Sequence, residues 1–172
     1  MSSAYHFFHW LSNTYIGTQM RTGEYEFPTV EALHVIGSVI VVTATAILSL
    51  RLTGWFLREV PTSRIVNETL PWAWVGFAVQ LLTGILLFMS EATLAYVNLL
   101  FQIKMGLVLL AGVLALVFNR TVYRRITTWD LGNPPFWAKF IGYSSIVIWF
   151  SVVAVGRWLN SSITNSPPIL PR

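Results

Sequence analysis

The chain has 172 residues, of which 55% are hydrophobic and only 10% are charged, and its formal net charge is +4. Soluble domains carry about 25% charged residues, so this composition predicts an integral membrane protein. The scattered positive charge forms no basic stripe, which argues against nucleic acid as a partner, and the absence of cysteine excludes disulfides, thiolate metal sites and covalent haem attachment.

Residues 1–30 form a segment that is too short and too interrupted to cross a bilayer. The segment nevertheless carries many large apolar side chains, including Phe7, Phe8 and Trp10. It lacks both the basic start and the continuous apolar run of a signal peptide, so we predict no cleaved targeting signal. We expect a short helix that lies along the outer interface of the membrane.

Four apolar stretches of membrane-spanning length follow. The first comes after Pro28, and the second starts at Pro71, because proline is favoured at the first position of a helix. The predicted spans cover about 32–52, 71–89, 99–118 and 137–158. They form a membrane domain of residues 31–159, and residues 160–172 are expected to form a flexible tail. The predicted fold class is all-α, an integral membrane bundle of four antiparallel helices.

The basic residues indicate which way the chain is inserted. The loops after spans one and three hold seven of the eleven Lys and Arg residues. Loops rich in Lys and Arg stay in the cytoplasm, so both termini are expected on the non-cytoplasmic side.

Small and polar residues form a stripe along the first three spans, and a less regular one along the fourth. Positions that face lipid have no reason to be small or polar, so these stripes should face one another. At the outer level of the bundle they would bring together His34, Glu91, Lys104 and Arg157. Ionisable groups at membrane depth are costly and usually face the interior in pairs, so these four residues are the candidate site.

Each of these residues also has a purely structural explanation. Lys104 and Arg157 lie near helix ends and could extend to the lipid headgroups, with Glu91 as a surface partner. A single histidine such as His34 is more often a hydrogen-bonded packing residue than a ligand. Gln80 is better explained by hydrogen bonding between helices than by contact with a substrate.

Several strings carry a resemblance to known proteins: FPTVEALHVIG, LRLTGW, LPWAWVGFAVQLLTGILLFMSEA, FQIKMGLVLLAGVLALVFNRTVYR and VAVGRW. From about Arg21 to Trp158, the chain resembles an uncharacterised bacterial family of four-helix membrane proteins, a domain of unknown function. The middle of the chain carries a TG pair, then a lysine, then an NR pair. This order is more distantly similar to the membrane region of CopD-type copper-resistance proteins. The resemblance implies a bacterial inner membrane, so the non-cytoplasmic side on which the basic loops place both termini would be the periplasm.

The resemblance also identifies candidate functional residues. Those that match the pattern are Glu31, His34, Arg51, Thr83, Gly84, Lys104, Arg120, Gly156 and Arg157. Two positions depart from it: Ser49 stands where an acidic residue is expected, and Asn119 where a histidine is often found. These departures put a metal or proton role at the inner leaflet in doubt.

Three functions remain open at this point. The first is a non-catalytic accessory or anchoring subunit of a larger bacterial membrane complex that faces the periplasm, because the loops are too short to hold a catalytic domain and no catalytic motif occurs. Its partners would be the lipid bilayer and other membrane protein subunits.

The second function is electron transfer by b-type haem, or binding of a pigment. His34 would be the metal ligand, and Lys104 and Arg157 would pair with the haem propionates. The second axial ligand would be His6 or His9, or the iron would be five-coordinate. The third is copper handling or transport of a small solute, suggested by the CopD-like layout, although no tract rich in His or Met occurs.

Overall fold

The computed structural model describes residues 3–164, and all the regular structure in this part of the chain is helical, without a β-strand. Its α-helices are α1 (Ser3–Ser12), α2 (Tyr15–Thr22), α3 (Glu26–Thr53), α4 (Thr62–Ser90), α5 (Ala92–Val97), α6 (Leu99–Val117) and α7 (Phe136–Thr164). A π-helical turn at Phe118–Val122 and a 3₁₀ segment at Tyr123–Thr128 continue α6.

Four helical stretches are long and apolar enough to cross a membrane: Glu26–Thr53, Thr62–Ser90, Leu99–Thr128 and Phe136–Leu159. The prediction of an all-helical protein with four candidate spans is therefore confirmed.

The helix starts differ from the predicted ones at both prolines. α3 begins at Glu26 and includes Pro28 in its first turn, where a proline has no helical N–H bond to lose. α4 begins at Thr62, so Pro71 lies inside the helix. The start of α4 is fixed by Asp130, a residue distant in sequence, whose backbone carbonyl accepts a hydrogen bond from the Thr62 N–H at 3.0 Å.

α3 is the central helix, because it packs against both α4 and α7, whereas α6 packs mainly against α7. The approach of α3 and α4 depends on two glycines. A Cβ atom on Gly37 would lie 2.9 Å from Val79 Cγ1, and one on Gly76 would lie 2.9 Å from the Val41 nitrogen. Small residues of this kind allow membrane helices to come close together.

The N-terminal segment forms two helices, where the sequence predicted one. α1 packs against α5, and α2 packs against α4. The Phe8 ring stacks on Tyr96 with centroids 4.5 Å apart, and Met20 is buried. We call this end of the molecule, where α5 lies, the α5 end.

Arg51 and Asp130 organise the opposite end, which we call the Asp130 end. Arg51 is only 1% exposed; its Nε donates to the Val60 carbonyl at 3.0 Å and its Nη2 to the Asp130 carbonyl at 2.9 Å. The Asp130 carboxylate accepts hydrogen bonds from the backbone N–H and the hydroxyl of Ser63, both at 2.7 Å. These bonds fix the loop before α4 and the loop before α7 to the end of α3.

An apolar cluster, the Asp130-end cluster, surrounds these bonds. Its buried members are Leu52, Val66, Phe118, Val122, Ile126, Ala138 and Ile141. The predicted tail of residues 160–172 lies mostly outside the described residues, and its described part continues α7 to Thr164.

Candidate functional site

His34 is held between α3 and α4 by one well-defined hydrogen bond. Its Nδ1 lies 2.8 Å from the Thr83 hydroxyl oxygen. The Thr83 hydroxyl donates its single proton to the Val79 carbonyl at 2.6 Å, so it must accept from His34. We therefore assign the proton of the neutral ring to Nδ1, which leaves a lone pair on Nε2. The Nε2 atom has no hydrogen-bond partner among residues 3–164.

Gln80 completes the polar contact between the same two helices. Its side-chain amide donates to the His34 carbonyl at 2.8 Å and to the Ser38 hydroxyl. Ser38 in turn donates to the His34 carbonyl at 3.0 Å. The polar stripes of α3 and α4 thus meet in a hydrogen-bonded network that holds the two helices together.

Lys104 approaches this network from α6. It is half-buried, and a Cβ atom on Gly156 in α7 would lie 3.5 Å from its amine. The amine is close enough to interact electrostatically with the His34 ring. No carboxylate in the described part of the chain lies within 4.0 Å of the amine, so this half-buried cation has no ion-pair partner there.

Glu91 and Arg157 are placed differently from the sequence-based expectation. Burial raises the pKa of the Glu91 carboxyl, and its charged neighbour is Arg21 of α2, which acts in the opposite direction. Arg157 is exposed. Because α7 turns Gly156 toward Lys104, the next residue lies about 100° further round the helix and points away. Of the four predicted site residues, the structure brings together His34 and Lys104.

His6 and His9 are both exposed on α1. The His9 ring contacts Tyr5, with centroids 6.0 Å apart, and the Asn13 side-chain amide. Since α1 packs against α5, neither histidine is drawn into the contact between α3 and α4. Within residues 3–164, no three His, Cys, Asp or Glu side chains lie together as a metal site.

Asp130 is the organising residue that the sequence reasoning did not select. It is the only aspartate in the chain and the only acidic residue after Glu91. A lone carboxylate in a loop opposite several arginines was the available signal, but its partners depend on how the chain folds.

Comparisons with known proteins place the chain without assigning an activity. A family model described as a family of unknown function (DUF6644) matches residues 7–162. No curated protein matches the chain, and no solved structure matches it. The matched region contains all four candidate spans together with His34 and Lys104.

Proposed function

Because the chain belongs to the DUF6644 family, whose function is unknown, we propose from its own residues that it is a non-catalytic accessory subunit of a larger membrane complex. The proposal places it in a bacterial inner membrane as an antiparallel bundle of four helices. Contacts that run in opposite order along α3 and α4 support that arrangement, since Gly37 lies near Val79 and Val41 lies near Gly76. The excess of Lys and Arg in the loops after α3 and α6 supports periplasmic termini.

The observation that carries this proposal is the exposure of α6. None of the residues of α6 is buried, whereas α3 and α4 each bury several. The outward surface of α6 is apolar, and Leu109 is 70% exposed. A Cβ atom added to Gly106 would have nothing within 4 Å, so another helix could approach α6 closely at this position. A partner subunit would cover this surface.

A photo-crosslinking experiment in the native membrane tests the proposal. A photoreactive amino acid replaces Leu109 of α6, and in a matched control it replaces Val39, a 60% exposed residue of α3. We expect a discrete adduct of higher mass from position 109 and none from position 39. A monomer in mild detergent, with no adduct from position 109, would contradict an accessory role.

The lone pair on His34 Nε2 favours a second candidate function, the binding of b-type haem or of a pigment. Histidines that bind metals usually donate the other ring N–H to a fixed acceptor, as His34 does to Thr83. Lys104 is available for a propionate. Because His6 and His9 lie on α1, we propose His34 as the single protein ligand of a five-coordinate metal.

An absorbance spectrum tests this second candidate. Protein purified from its native membrane should show a Soret band, and His34→Ala should remove it while the bundle stays folded. The absence of any visible absorbance in the native protein would rule out haem and pigment together. The copper or solute-transport alternative stays a prediction from the resemblance.

A further inference from the structure

An opening lies midway between α4 and α6. One side of α4 carries large apolar residues at steps of seven and four, which return to the same side of a helix: Leu70, Phe77, Leu81 and Phe88. The Phe88 ring stacks on Phe101 of α6 with centroids 5.1 Å apart, and Leu70 packs against the Asp130-end cluster. Between these two contacts, Phe77 is 41% and Leu81 is 52% exposed. The two helices therefore meet at this ring stack, both join the Asp130-end cluster, through Leu70 and Leu114, and are parted between these points.

Lys104 lies next to this opening. It follows Phe101 by three residues of α6 and lies about 60° from it around the helix, so it borders the parted section. Gly156 presents no side chain to the amine, and no carboxylate of residues 3–164 pairs with it. An unpaired cation away from water is costly, and an anion at the same position would offset that cost.

The width and depth of the opening indicate which kind of anionic ligand could fit it. A transmembrane helix is about 10–12 Å across, so a partner helix would have to separate the Phe88 and Phe101 rings. A single acyl chain is much thinner. Lys104 lies five residues into α6, about 8 Å below the start of the helix at the standard rise. We take a free fatty acid as the fitting ligand, because its carboxylate is smaller than a phospholipid headgroup and can reach this depth.

We propose that this opening binds a long-chain fatty acid, whose carboxylate pairs with the Lys104 amine and whose chain passes out between α4 and α6. Val108 lies on the same side of α6 as Phe101, seven residues further on, and borders the path of the chain. The site lies on the inward side of α6, so it is independent of any partner subunit on the outward surface.

Native mass spectrometry of the full chain in a non-ionic detergent tests the proposal, with oleate as the probe. Lys104→Met removes the charge but keeps an unbranched side chain, and its matched control is Lys139→Met at the Asp130 end. Val108→Phe fills the opening, and its control is Val113→Phe on the outward side of α6. We expect at least tenfold weaker oleate binding in Lys104→Met and Val108→Phe, with both controls close to wild type.

Two further ligands test the contributions of the charge and of the headgroup to binding. Oleyl alcohol, which has the same chain without the charge, should bind at least tenfold more weakly than oleate to the wild-type protein. Unchanged oleate binding in Lys104→Met, or an equal loss in Lys139→Met, would overturn the proposal. Tighter binding of phosphatidylglycerol than of oleate would also overturn it, because the amine would then serve a phospholipid headgroup.

Discussion

Thr83 is the residue on which the orientation of His34 depends. Thr83→Val keeps the shape of the side chain but removes the acceptor for His34 Nδ1–H. Hydrogen bonds between membrane helices average about 0.6 kcal/mol, and an N–H left without a partner adds to the loss. We expect the free energy of unfolding to fall by about 1 kcal/mol, measured by titration with a denaturing detergent. Thr83→Ser, which keeps the hydroxyl, should behave like the wild type.

Asp130 makes the opposite end of the molecule sensitive to acid. The hydrogen bond from the Ser63 backbone N–H, together with the nearby Arg51, holds the pKa of Asp130 below its ordinary value of 3.8. A carboxyl whose pKa is lowered in the folded state stabilises the fold fully at pH values above its ordinary pKa. The stabilisation is lost as the pH falls through the lowered value.

Asp130→Asn should remove this pH dependence. We expect the melting temperature of the wild type to fall as the pH is lowered past the ordinary pKa of 3.8, and the variant to start lower and change less. Circular dichroism in detergent measures both curves. Glu59→Gln, a change of an exposed carboxyl in the loop before α4, is the control and should follow the wild-type curve. Parallel curves for the wild type and Asp130→Asn would contradict the role given to Asp130.

At the scale of helices, the sequence predicts how many candidate spans there are better than where they begin. The length of each apolar run is a local property, and it predicted both bounds of α6 and the start of α7 to within one residue. The start of α4 is not local, because Asp130 belongs to a loop that folds back onto it. Helical periodicity predicted that the polar stripes of the first two spans face each other, and His34 and Thr83 meet there. It could not predict the outward direction of Arg157, because the rotation of α7 depends on its packing against α3 and α6.

The contact between α3 and α4 should be intolerant of added volume. Gly76→Ala would place a methyl group 2.9 Å from the Val41 nitrogen, which forces the helices apart. Overpacking of this kind costs about 1–3 kcal/mol, so we expect the unfolding free energy to fall by that amount. Gly112→Ala on α6 is the matched control, since nothing lies within 4 Å of the added atom. Because Gly→Ala raises helix propensity at both positions, an equal loss in the two variants would contradict the explanation by close approach.

At the scale of the whole molecule, a single orientation in the membrane must be consistent with the residues at both ends of the bundle. The Asp130 end carries six of the nine arginines, from the last turn of α3 to the first turn of α4 and in the segment after α6, and the α5 end carries the N-terminal helices. Arginine-rich loops are retained in the cytoplasm during insertion. The Lys104 opening would then lie toward the periplasmic leaflet, and the bonds of Arg51 toward the cytoplasm.

Labelling of single cysteines measures this topology directly, because the native chain contains no cysteine. Ser3→Cys lies in α1, and Thr127→Cys lies in the 3₁₀ segment after α6; both positions are exposed. In intact spheroplasts, a maleimide that cannot cross the membrane should label position 3 and leave position 127 unlabelled until the membrane is permeabilised. The reverse pattern would move the Lys104 opening to the cytoplasmic leaflet. A fatty acid would then reach it from the cytoplasmic side, so the same experiment also decides from which compartment the proposed ligand comes.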